Sequence, residues 1–183
     1  MLSDMNTVLD PLQTPSVQVN QVQILSDDRY VLKKTRFERQ GDGTWQDITR
    51  ATYERSNGAT MLPDNLEQHS VLLSHQFRYP AFVNGHSGQL IEAAAGLPDE
   101  ASPENRIRAE VEEETGFRIS GVQRIFEALM SPGSGTKRLS VFVAAYNRES
   151  QASNGGGKAA EEQDIEVLEI CQLKTRMLPS RAA

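Results

Sequence analysis

The chain has 183 residues, enough for one domain with a sizeable core; apolar residues make up 38% and there are 13 glycines, near the lower edge of ordinary globular usage. A net charge of −6 excludes the clustered Lys and Arg of a nucleic-acid surface, so an anionic ligand has to be met locally, by a few arginines and a metal. Cys171 is the one cysteine, which excludes an intrachain disulfide framework, and neither a membrane span of roughly 18 apolar residues nor a secretory leader is evident, so no membrane partner is expected and the expected location is cytoplasmic.

In chain order, residues 1–20 mix polar residues with two prolines and read as a loose arm. Residues 21–56 read as a small antiparallel sheet. Its strands are Val22–Ile24, Tyr30–Phe37 and Trp45–Tyr53, and Gly41-Asp42-Gly43 turns the last two into a hairpin. Residues 57–183 read as a second, larger part. Short apolar strands at Ala59–Leu62, Val71–Leu73 and Leu90–Ile91 are separated by Pro63-Asp64-Asn65 and by Pro80–Gly88. A helix is predicted over Pro103–Thr115, with Ile107 and Val111 anchoring it to the sheets. Strands at Val122–Leu129, Leu139–Tyr146 and Ile165–Ile170 follow, the last preceded by a Gly-rich, acidic loop at Gln151–Gln163. Strands flanking one helix predict an α/β sandwich of mixed sheets behind a small N-terminal antiparallel sheet. After Ile170 come 13 residues, which could form at most two or three turns before Pro179.

The 22 residues Gly96–Phe117 carry the chemistry. On a helix Glu110, Glu113 and Glu114 stand at i, i+3 and i+4 and share one face, where like charges repel. A hard divalent cation such as Mg²⁺ converts that repulsion into coordination. A solvated acidic helix face is the other reading of the same spacing. The flanks mark out the helix: Ser102-Pro103-Glu104 supplies a cap, a Pro at the first helical position and an early acid, and Thr115-Gly116 supplies the stop. At Gly96 a missing side chain would let a backbone approach metal and phosphate. Ser87 within Gly85-His86-Ser87-Gly88 lacks the final Gly of a nucleophile elbow, which argues against a serine hydrolase.

This layout resembles the Nudix box, a glycine, a loop, and then Arg-Glu-x-x-Glu-Glu-x-Gly before an apolar residue. Beyond the box, Tyr53–Thr60, His75–Arg78, Val83–Gly85, Ser87–Gly96, Met130–Gly133, Gly155–Gly157 and Asp164–Glu169 look, in that order, like the GDP-mannose pyrophosphatases, a close branch of the Nudix ADP-ribose pyrophosphatases. The resemblance covers about residues 21–170 and implies a Nudix-type α/β/α sandwich. It also implies an enzyme that cleaves the diphosphate of a nucleoside diphosphate sugar, GDP-mannose to GMP and mannose 1-phosphate, with ADP-ribose hydrolysis or a non-catalytic nucleotide-sugar sensor as alternatives.

The resemblance further implies Mg²⁺, replaceable by Mn²⁺, on Glu110, Glu114 and the Ala95 carbonyl, with Glu113 shared or adjacent and Glu161 as the base that prepares water. Arg50 and Arg78 would clamp phosphate through their fixed, paired donors. Glu92, Gly96 and Ser131 fall at the other substrate positions. Departures are Gln163 in place of a glutamate, His75 in place of an arginine, and Ala109 in place of the arginine that braces the glutamates. The chain is therefore expected to lack that brace, so that Ala109→Arg should tighten metal binding or raise the rate. A homodimer is expected, with Arg50 acting on the neighbour's substrate.

Overall fold

The structure, a computed structural model, describes residues 16–41, 43–97, 102–157 and 164–171. The described residues fall into two units, one of those within 16–55 together with 133–135 and one of those within 56–132 and 136–171.

In the first unit three antiparallel strands, β1 (Val17–Asp27), β2 (Val31–Gly41) and β3 (Thr44–Glu54), lie side by side in chain order. Gly43 turns β2 into β3 at φ +78°, a conformation that a side chain would disfavour, and the pairing then runs unbroken from Gly41–Thr44 to Val31–Glu54. β1 takes in Val17–Asn20, which the sequence assigned to the arm. The reason is a bulge between Val19 and Gln21, which shifts the apolar alternation from Val17 and Val19 to Val22 and Ile24 and so hides one strand as two patterns. Tyr53 and Tyr30 meet edge to face at 5.5 Å, and the Tyr53 amide donates to the Ser134 carbonyl at 2.8 Å.

The second unit is a seven-stranded mixed sheet in the order β10-β5-β4-β9-β8, with β6 added to β5 and β7 to β4. Its elements are β4 (Gly58–Asn65), β5 (Ser70–Phe77), α1 (Tyr79–Val83), β6 (Gln89–Glu92), β7 (Ala94–Gly96), α2 (Pro103–Thr115), β8 (Ser120–Leu129), β9 (Arg138–Ala145) and β10 (Glu166–Cys171). β4 and β9 run parallel, and the other pairs are antiparallel. β4 and β5 pair only at their hairpin end, at Asp64–Val71 and Asn65–Ser70, and then part. β7 and β6 occupy the edges so opened, Ala94–Gly96 on Met61–Ala59 and Gln89–Glu92 on Phe77–Ser74.

Two details correct the sequence reading. Pro63 and its neighbours belong to β4 and do not separate it from the next strand. At Leu62 and Pro63 the edge of β4 facing β5 and β7 has no partner, so a residue without N–H is tolerated there. Within the Pro80–Gly88 separator, Tyr79–Val83 is a short helix, with Pro80 in the first turn where its missing N–H costs least.

The core lies where α2 packs on β4, β7 and β9. Ile107 and Val111, four apart, are fully buried against Ala59, Met61, Ala94, Phe142 and Ala144. A smaller cluster joins Leu72, Phe117 and Tyr146. Because Ile107 has no exposed surface to relax into, Ile107→Ala should cost about 2–5 kcal/mol. Urea unfolding at unchanged slope would measure it. A loss under about 1 kcal/mol would mean that α2 is not seated as drawn.

Candidate active site

α2 starts and stops as its sequence dictates. The Ser102 hydroxyl accepts from the Asn105 amide at 3.3 Å, Pro103 opens the first turn, and Gly116 closes the helix in the left-handed region at φ +79°. A side chain on Gly116 would lie 2.7 Å from the Gly155 nitrogen, so the loop after β9 can pack on the helix end only because this residue has none. That loop then caps the helix. The Gly156 and Gly157 amides donate to the Glu114 and Glu113 carbonyls at 2.9 and 3.3 Å. The Gly155–Gly157 run, noted in the sequence only as part of a resemblance, thus has a mechanical role beneath the glutamates.

Of the glutamate stripe, Glu110 and Glu114 are buried, with 6% and 4% exposure, and Glu113 is half-buried. Two carboxylates so placed are expensive. Burial, and then the charge of Glu110, push the Glu114 carboxyl up to about 7, while Arg78 and the Ser74 hydroxyl work in the opposite direction. Glu114 Oε2 is buried with no hydrogen-bond partner. Beside the pair lies Gly96 on β7, where an added Cβ would stand 2.5 Å from Glu110 Oε1 and 2.6 Å from Cδ. The backbone therefore closes on the carboxylate to a distance that no side chain allows.

Among the described residues no group of three or more His, Cys, Asp or Glu side chains is arranged to hold a metal ion. The two buried carboxylates fit a hard cation all the same. An orphaned anionic oxygen and a glycine-lined approach are what Mg²⁺ binding needs when backbone carbonyl, water and substrate phosphates supply the remaining donors. Ala95, whose carbonyl is the expected further donor, sits in β7 opposite Thr60, immediately before Gly96.

Arg78 forms the N-cap of α1, and its Nε donates to Glu92 Oε2 at 2.7 Å across the β5–β6 pair. The phosphate clamp and sugar-side acid expected from sequence are thus ion-paired with each other, and Arg78 also acts on Glu114. Ser131 stands in the turn after β8 at φ +51°, and His75 pairs with Glu166 at 2.9 Å. Arg50 lies exposed on β3 in the first unit, its guanidinium donating to the Thr49 carbonyl at 2.9 Å. Glu161 and Gln163 lie outside the described residues.

One expectation is corrected here. Ala109 does not leave the glutamates without a cation, because Arg106 forms an ion pair with Glu110. Sequence reasoning missed it by looking one residue before Glu110. The signal was the i, i+4 spacing from Arg106 to Glu110, which puts both on one face.

Residues 16–53 match the family model of the N-terminal domain of the GDP-mannose pyrophosphatase NudK. The chain is 43% identical over 157 residues to a GDP-mannose pyrophosphatase of Pectobacterium atrosepticum, covering 84% of this chain and 80% of that one. It is 42% identical over 159 residues to the Escherichia coli GDP-mannose pyrophosphatase, covering 86% and 82%. The crystal structure of an ADP compounds hydrolase superposes with a TM-score of 0.63 at 15% identity, over 87% of this chain and 80% of that one, which shows a shared fold.

Proposed function

Because the chain belongs to the GDP-mannose pyrophosphatase family of the Nudix hydrolases, we propose that it hydrolyses the diphosphate of GDP-mannose, releasing GMP and mannose 1-phosphate. The observation that carries this reading is the buried Glu110–Glu114 pair, with an unpartnered oxygen, beneath Gly96. Such a pair is costly in a structural protein and useful in one that gathers a cation and a diphosphate.

Glu110, Glu114 and the Ala95 carbonyl are the proposed ligands of Mg²⁺, for which Mn²⁺ can substitute. When bound, the metal neutralises phosphoryl oxygens and makes coordinated water more acidic. The chain's own residues do the rest. Arg78, held by Glu92, offers parallel donors to phosphate and lowers the electrostatic cost of ionising Glu114. Gly96 lets the backbone close on the site. Glu113 and Glu161 are proposed to position and deprotonate the attacking water, Ser131 to contact the substrate, and Arg50 to act on the substrate of the neighbouring subunit.

A screen of GDP-mannose, ADP-ribose and other nucleoside diphosphate sugars with Mg²⁺, with product identification, tests this. GDP-mannose should give GMP and the sugar phosphate at the highest kcat/KM. A preference for ADP-ribose would move the substrate assignment, and binding without turnover would mark a sensor.

No helix among the described residues is long and apolar enough to cross a membrane. The proposed cytoplasmic location is supported by the single cysteine, Cys171, which is free and exposed. β1 is exposed along its whole length, with Val17, Val19, Val22 and Ile24 each 54–58% exposed. An apolar edge strand left so open supports a homodimer. Light scattering at micromolar concentration should give the mass of two chains; the mass of one would overturn the dimer.

A further inference from the structure

We propose that Arg106 is a positioning residue of the active site, holding the Glu110 carboxylate in the orientation in which it can ligate the metal. This rests on the metal reading above and adds a residue to it. Arg106 lies one helical turn before Glu110 on the stripe that continues to Glu113 and Glu114. Its guanidinium pairs with Glu110 Oε1, and both side chains are largely out of water, at 24% and 8% exposure. The same Oε1 is the oxygen nearest the Cβ position of Gly96. One oxygen of Glu110 is therefore occupied by the arginine and enclosed by β7, which fixes the plane of the carboxylate.

Helix stability does not account for this arginine. A cation close to a helix N-terminus opposes the macrodipole, and a pair with the basic residue on the N-terminal side is the weaker orientation of an i, i+4 pair. Nor does burying an ion pair, by itself, stabilise more than apolar packing would. What the pair does achieve is orientation. Without it, a buried Glu110 pressed by the charge of Glu114 turns towards water, and a metal would have to bring it back. The bare charge of Arg106 would act in the opposite sense, repelling a cation, so the sign of the effect separates positioning from charge.

The test is Mn²⁺ affinity by calorimetry, in the absence of substrate, for the native chain, Arg106→Lys and Arg106→Met. Lysine keeps the charge without the planar fork. We expect Mn²⁺ binding to weaken about 10-fold in Arg106→Lys and up to about 100-fold in Arg106→Met, the range for residues that orient metal ligands. At saturating Mg²⁺, kcat should fall with little change in KM, and the Arg106→Lys urea midpoint should stay near native. Affinity within about twofold of native in both variants, or tighter binding in Arg106→Met, would overturn the proposal. Affinity lost only in step with the folded fraction would do the same. Were the native chain itself to bind no Mn²⁺, the metal reading would fall first; native binding with unaffected variants removes only the role of Arg106.

Discussion

Glu114→Gln should lower kcat by at least about 100-fold while leaving the protein folded, and excess EDTA should bring the native enzyme to the same level. The substitution keeps the shape and removes one charge, so whatever is lost belongs to electrostatics at the reacting phosphate, where deleting one preorganised group costs about that factor. Stability should move the other way. The Glu114 carboxyl is pushed up to about 7, chiefly by burial and secondly by Glu110. A raised carboxyl gives stability that is present below its unfolded pKa and lost as pH rises through the folded value. Above about pH 7 the metal-free native chain therefore carries an ionised, poorly compensated Glu114, and the Gln variant is spared it. Denaturant midpoints in EDTA at pH 8 should accordingly be equal or higher for Glu114→Gln. A variant that is both active in EDTA and less stable would show that Glu114 is a packing residue.

The helix that bears this residue was legible in the sequence from end to end, because every determinant is local. Ser102 and Pro103 start it, Gly116 stops it, and Ile107 and Val111 face the core. What could not be read locally was set by pairing. β7 is three residues long and exists because Ala94–Gly96 finds an edge on β4. β1 extends back to Val17 because a bulge realigns it with β2. The same division holds within the site. The paired carboxylates follow from spacing alone, whereas the Arg78–Glu92 ion pair depends on β5–β6 register, 14 residues apart in sequence. Arg106 lies between these cases: its spacing from Glu110 was visible, but only the burial of both partners distinguishes it from an ordinary surface pair.

Gly96→Ala should cost nearly as much activity as loss of a glutamate, without removing any functional group. The backbone at Gly96 requires no glycine for its own sake, since no positive φ is involved, so a methyl group adds no strain to β7 itself. The cost falls wholly on Glu110, whose Oε1 and Cδ stand 2.5 and 2.6 Å from the new Cβ and must retreat towards ordinary contact distance. That displacement is on the order of 1 Å, a misplacement that lowers turnover about 100-fold in a well-oriented site. Glu110 cannot yield freely, because Arg106 holds the same oxygen and the side chain is buried, so some of the strain will appear as a stability loss of about 1–3 kcal/mol. Gly41→Ala serves as the control, since its Cβ would meet only Arg39 Nη2 at 3.8 Å. Because the effect of Gly96→Ala passes through Glu110, it should nearly vanish when Glu110 is already Gln, the double variant turning over no more slowly than Glu110→Gln alone. Additive losses, or a Gly96→Ala enzyme within about threefold of native kcat, would show that the carboxylate is not confined between β7 and Arg106 during turnover.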